Sequence, residues 1–157
     1  MFREMRRIKQ QLSNEECVNI LKNEVRGVLS VLGDNDYPYG VPIDYWYSDD
    51  GKIYFHGAKC GHKIDAIKKH DKVSFCVYDK GYRNEGEWAL NIKSVIVFGR
   101  IKIVKSHEKA LDICRNIALK FTSDNEYIDD EIARSGKFVM CLELTPEHIT
   151  GKIINES

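Results

Sequence analysis

Residues 39–63 read YGVPIDYWYSDDGKIYFHGAKCGHK. Within Tyr39–Tyr47, Val41, Ile43, Tyr45 and Tyr47 fall on alternate positions, the period of a strand with one buried face. Ser48-Asp49-Asp50-Gly51 supplies the Asp-Gly pair favoured in tight hairpins, and Lys52–His56 is a further strand. The two strands therefore pair antiparallel. Pro42 has no backbone N–H to give to a ladder, so its strand has an edge, a bulge or a ligand beside it. After His56 the chain carries Gly57 and Gly61. A helix then runs from about His62 to Lys69 with Ile64, Ala66 and Ile67 to bury. The order strand, small-residue link, helix puts His62 and Lys63 in a helix's first turn.

The flanking sequence extends this pattern. Ser13-Asn14-Glu15-Glu16 is a capping-box signature that opens a helix to about Asn23, with Cys17, Ile20 and Leu21 on its apolar face. Gly27 leads into a strand at Val28–Leu32, and Gly33–Asp36 is a turn. Val73–Tyr78 is a strand, Asp79–Gly86 a polar loop, and Trp88–Val104 a long strand region with a bulge or bend at Gly99. A helix at Ser106–Phe121 places Ala110, Leu111, Cys114, Ile117, Ala118 and Phe121 on one face. A short helix at Asp129–Ser135 ends at Gly136, and Phe138–Leu144 is the last strand, with Ile149, Ile153 and Ile154 available for one more pairing. Six strands joined mostly by hairpins are not a βαβ alternation. They predict a mainly β (α+β) fold, an antiparallel six-stranded barrel with peripheral helices, in a single domain over residues 1–157.

Charge and composition narrow the function classes. The 157 residues carry 24 Lys+Arg against 24 Asp+Glu. Residues 1–80 hold 13 basic and 12 acidic side chains, and residues 81–157 hold 11 and 12. Such a balance argues against nucleic acid or an anionic membrane as the main partner, so an anionic ligand needs a local site. No apolar stretch follows the charged N-terminus and none is long enough to span a bilayer. Five cysteines (Cys17, Cys60, Cys76, Cys114, Cys141) show no framework spacing and are read as reduced thiols in a cytoplasmic protein, with Cys76, Cys114 and Cys141 as small core residues.

The local site is the His56–Lys63 stretch. Backbone N–H groups at a helix start favour an anion, whereas the helix dipole disfavours cations there. His62 and Lys63 in that turn are accounted for if an anion lies between them and the helix. The ordinary alternative is a solvated Lys63 and a His62 that merely packs in a turn. His56-x3-Cys60-x-His62 matches none of the usual zinc spacings, and a Cys60/His62 nucleophile pair lacks an orienting third group.

The chain resembles the flavin-binding split-barrel proteins related to pyridoxamine 5'-phosphate oxidase, and among them the nitroimidazole-resistance branch. The resemblance is carried over about residues 5–145. Its pieces are Met5-Arg6-Arg7 before the capped helix, Gly27–Val31 followed by Tyr37–Pro42, Tyr54–Ala58 followed by Gly61-His62-Lys63-x-Asp65, and Lys72–Phe75 followed by Ser94-Val95-x-x-Phe98-Gly99. It implies FMN at a homodimer interface, with the phosphate held by His62 and Lys63. It implies that Phe55, His56, Gly57 and Ala58 line the flavin and ribityl chain, and that Val41, Pro42, Ile43 and Asp44 run along the ring edge. Ser94 would come from the partner chain. Asn is the residue expected at 44, and Asp adds a charge there. The residues that bind pyridoxamine itself have no match. The function implied is an FMN-dependent oxidoreductase that takes electrons from NAD(P)H and acts on nitroimidazoles or other nitroaromatics, with His56 as a catalytic proton donor. Tyr45, Trp46, Tyr47 and Trp88 are either ring covers or core. The alternatives are a flavin carrier without a substrate, or a split barrel that binds haem or another ligand.

Overall fold

The longest pairing in the protein joins the strand at Leu90–Ile103 to the one at Val139–Glu156, antiparallel over its whole length. In this computed structural model, which describes residues 1–156 and leaves Ser157 outside, the chain runs α1 (Asn14–Asn23), β1 (Arg26–Leu32), β2 (Pro38–Tyr47), β3 (Ile53–Ala58), α2 (His62–Lys69), β4 (Lys72–Tyr78), β5 (Leu90–Ile103), α3 (His107–Ala118), α4 (Asn125–Ser135) and β6 (Val139–Glu156). The six strands close into an antiparallel barrel in the order β1-β2-β3-β6-β5-β4.

Alternation fills the barrel. Leu29 and Val31 of β1, Tyr45 of β2, Phe55 of β3, Phe75 and Val77 of β4, Val95 and Val97 of β5, and Leu142 and Leu144 of β6 all point inward and are almost wholly buried. Phe75 meets Tyr45 and Phe55 edge-on, with ring centroids 4.9 and 5.0 Å apart. Such pairs contribute about 0.5–1.5 kcal/mol each beyond area burial. The capping box at Ser13 and Glu16 forms as its sequence predicts, and α1 lays Cys17, Ile20 and Leu21 over one side of the barrel. A smaller cluster of Tyr54, Ala110, Ile113, Ile117 and Cys141 lies under α3, outside the barrel.

Gly99 is the bulge that the sequence suggested. The β5–β6 register shifts between Phe98 and Gly99, pairing Phe98 with His148 and Gly99 with Pro146. A Cβ at Gly99 would fall 2.3 Å from the Thr145 carbonyl oxygen, so only glycine fits.

Several boundaries differ from expectation. The last strand and the tail are one element, because β5 is long enough to pair with both. The α4 helix starts at Asn125, where the Asp124 side chain accepts from the Tyr127 N–H, and not at Asp129. The α3 helix ends at Ala118. Its buried residues are Ala110, Ile113 and Ile117, while Phe121 lies in the following turn and is exposed. Cys76 and Cys114 are half-buried and so are not closed core residues. Trp88 precedes the strand and is 75% exposed. Among the described residues, no helix is long and apolar enough to cross a membrane.

Candidate functional site

Strands β2 and β3 pair only over Tyr45↔Phe55, Trp46↔Tyr54 and Tyr47↔Ile53. Past Phe55 they separate. Residues 38–44 of β2 stay paired to β1 alone, and residues 56–58 of β3 stay paired to β6 alone. The separation leaves a cleft between two strand edges, and Pro42 lies on its β2 side, where a missing donor breaks no ladder to β3. The β2 edge carries Val41, Pro42, Ile43 and Asp44, and the β3 edge carries His56, Gly57 and Ala58. The α2 helix begins just beyond Ala58.

Side chains divide sharply across this cleft. Ile43 and Phe55 are buried in the core, so they present backbone to the cleft and no side chain. Asp44 accepts a 2.8 Å bond from Arg26 Nε, which supplies the cation that the unexpected carboxylate requires. His56 is half-buried. Burial lowers its pKa, Asp44 opposes this, and Lys63 reinforces it, so its neutral imidazole form is favoured.

Lys63 reaches back over the β3 edge. A Cβ on Gly57 would lie 3.2 Å from Lys63 Nζ, so the ammonium rests close against the strand at the glycine. Burial lowers the Lys63 pKa, and among the described residues no carboxylate lies within salt-bridge distance. Gly61 precedes α2 with φ +125°, a conformation that L side chains rarely adopt, and no side chain caps the helix. The uncapped start of α2 and a half-buried ammonium without an ion-pair partner among the described residues therefore both lie beside the end of β3.

His62 has a second commitment. Its Nε2 accepts the Asp34 backbone N–H at 3.0 Å, and its ring stacks on Tyr39 with centroids 4.3 Å apart. Only Nδ1 remains for an outside acceptor. Cys60 is exposed, and the described residues contain no metal-ligating group of three or more His, Cys, Asp or Glu. Ser94 does not join this cleft. It lines a separate cavity with Arg3, Met5, Ile96, Thr150 and Lys152. Trp46 stacks on Tyr54 with centroids 5.4 Å apart, and Tyr45 lies in the core.

Sequence reading missed two cations. Arg26 pairs with Asp44. Lys120 donates to the Tyr45 carbonyl at 3.0 Å and sits 3.8 Å over the Tyr45 ring. Burial brings the Lys120 pKa down to about 8 against the opposing pull of Glu24 and Asp44. A lysine just past a helix end is where any solvated cation would stand, so the sequence carried no signal for it.

An antiparallel barrel that opens between two of its strands into a cleft with a basic helix start defines the class. A family model described as pyridoxamine 5'-phosphate oxidase matches residues 13–153, and the chain belongs to that family. No curated protein matches. Among solved structures, the chain is 16% identical to a protein named for 5-nitroimidazole antibiotic resistance from Bacteroides thetaiotaomicron, with TM-score 0.77 and coverage of 92% of this chain and 87% of that one. It is 22% identical to an FAD-binding protein from Mesorhizobium loti, with TM-score 0.68 and coverage of 92% and 97%. It is 18% identical to a flavocytochrome from Azotobacter vinelandii, with TM-score 0.79 and coverage of 96% and 72%. At these identities the likeness establishes the shared fold.

Proposed function

We propose that this protein binds a flavin in the β2–β3 cleft and serves as an FMN-dependent oxidoreductase acting on small molecules such as nitroaromatics. The observation that carries the reading is Lys63, a half-buried ammonium held at Gly57 beside the uncapped start of α2, with no acidic partner among the described residues. A terminal phosphate satisfies both the ammonium and the amides through charge-assisted hydrogen bonds. The names of the flavin-binding neighbours support the same ligand class.

The remaining roles follow from where each residue stands. Lys63 and the α2 amides hold the phosphate, and His62 Nδ1 adds a donor once Nε2 has accepted from Asp34. The backbone of 41–44 and of 55–58 lines the ring and ribityl chain. When bound, the flavin supplies the hydride chemistry, with NAD(P)H as the electron source. Burial lowers the His56 pKa and so favours the neutral imidazole over a stored proton. We assign it a hydrogen bond to substrate in its neutral form, in place of standing acid catalysis. A homodimer brings the partner's strand face, with Ser94, against the cleft. Ile96 and Phe98 on the outer face of β5 are 37% and 42% exposed, which gives that contact its apolar area.

Titration of the cofactor-free protein with FMN and with FAD, followed by flavin fluorescence, tests the reading. FMN is expected to bind, and Lys63→Ala to weaken it about 10- to 100-fold, the scale of a lost charge-assisted bond. Equal FMN affinity in the variant would refute the phosphate assignment. Stopped-flow reduction by NAD(P)H and reoxidation by a nitroaromatic test the activity, and a holo monomer in sedimentation would remove the dimer.

A further inference from the structure

Two cysteines outside the flavin cleft come together at its back. Cys114 lies on α3 and Cys141 on β6, and their sulfurs are 3.9 Å apart. Cys141 is fully buried and pairs across the ladder with His56, and its Sγ donates to the Ala110 carbonyl at 3.4 Å. Cys114 is half-buried and lines a cavity of about 300 Å³ with His56, Tyr127, Ile128 and Val139. One thiol of the pair therefore meets a solvent-connected cavity while the other is closed off behind it.

We propose that Cys114 and Cys141 form a reactive dithiol site, in which Cys114 takes oxygen from a hydroperoxide and Cys141 resolves the product to an intramolecular disulfide. In the first step the Cys114 thiolate attacks hydrogen peroxide. The O–O bond breaks, an S–O bond forms, and hydroxide leaves, so the sulfur is oxidised to sulfenic acid and the peroxide is reduced. In the second step Cys141 sulfur attacks Cys114 sulfur, the S–O bond breaks and water leaves. The sum is two thiols and one peroxide giving one disulfide and two waters.

Three observations support the roles. The sulfurs need only close from 3.9 Å to the roughly 2.05 Å of a disulfide, with one partner on a helix packed against the other's strand. The contact between the two sulfurs lowers the Cys114 pKa while burial opposes it. The same contact, followed by burial, raises that of Cys141. Cys114 is the accessible thiol, the one a peroxide in the cavity reaches first, and Cys141, closed off behind it in contact with its sulfur, is the resolving thiol. The closed bridge ties α3 to β6 beside His56, so oxidation reshapes the cavity behind the flavin cleft. The site does not depend on the flavin assignment.

The test treats the full protein, with and without added FMN, with a few equivalents of hydrogen peroxide, then alkylates in denaturant and maps peptides by mass spectrometry. A Cys114–Cys141 linked pair, lighter by two hydrogens and returned to free thiols by dithiothreitol, is the expected product. Cys114→Ser, at a half-buried position, is expected to keep the fold by circular dichroism and to leave Cys141 alkylatable. Cys141→Ser is expected to accumulate Cys114 sulfenic acid that dimedone traps. Recovery of both cysteines as alkylated thiols after exposed Cys60 has been oxidised would overturn the proposal, as would irreversible Cys114 oxidation without a bridge in the unaltered chain.

Discussion

Two charged groups stand along the β3–β6 pair, one around Tyr54 and Glu143 and the other at Gly57 near the strand's end, and they are built in opposite ways. At Tyr54↔Glu143 the carboxylate is buried, and Lys52, Lys102 and Lys109 surround it at 3.0, 3.2 and 2.9 Å. Tyr54 Oη donates to Asp50 at 2.8 Å and lies 3.5 Å from Glu143. Burial alone would raise the Glu143 pKa, but the lysines together outweigh it and bring it down to about 2. At the end of β3 the local cation, Lys63, is half-buried against Gly57 with no carboxylate partner among the described residues, and burial favours the neutral form of the nearby His56. The first group closes its charges within the chain and so belongs to the fold. The second leaves a half-buried cation without a carboxylate partner among the described residues, which is the feature a ligand-binding site has and a purely structural ion group lacks.

The largest effect is expected at Glu143. Glu143→Gln leaves three lysines around a neutral amide, and because those side chains are 33–69% exposed and solvated the loss is expected to be about 1–3 kcal/mol. Urea unfolding reads this, and a loss below about 1 kcal/mol would reduce the network to a surface arrangement. The folded-state pKa lies below the ordinary 4.5, so this stabilisation is complete above pH 4.5 and lost as pH falls through about 2.

Lys63→Ala is the counterpart. It is expected to weaken FMN binding while leaving the urea midpoint of the cofactor-free protein unchanged or slightly higher, because a desolvated cation without a partner has been removed. A destabilisation as large as that of Glu143→Gln would erase the distinction between the two groups.

Lys120 sharpens the contrast through pH. Its folded-state pKa is about 8 against an ordinary 10.5, so the folded protein releases the proton first. Its contribution to stability therefore rises between about pH 8 and 10.5, and Lys120→Met is expected to flatten that rise in unfolding curves. Persistence of the full slope in the variant would assign it to other groups. The smallest effect is expected at Tyr45, whose buried hydroxyl has no protein partner among the described residues. Tyr45→Phe should change stability by less than about 1 kcal/mol in either direction, and a larger loss would reveal a bond the side chain makes.

Much of the fold was legible because its signals are local. Ser13 and Glu16 cap α1, alternation in Tyr39–Tyr47 marks β2, and Gly99 marks the bulge. The start of α4 was not legible, since the cap at Asp124 stands among polar residues that resemble a loop. The continuity of the tail with the last strand was not legible either, since a proline at 146 ordinarily ends a ladder, yet Pro146 sits opposite Gly99, where the ladder already shifts. At the site, the His62-Lys63 pair and Pro42 pointed to the cleft. The roles of Arg26 and Lys120, and the meeting of Cys114 with Cys141, gave no local sign, because each joins elements distant in sequence.

Side-chain period, turn residues and capping groups act over a few residues, and through them the sequence by itself determined the strands, the helices and the basic start of α2. Which cation keeps a partner was decided only in three dimensions. Barrel closure gathers three lysines onto Glu143 and, among the described residues, no carboxylate onto Lys63. Desolvation and Coulomb energy depend on distance and burial, which strand pairing sets and residue order does not.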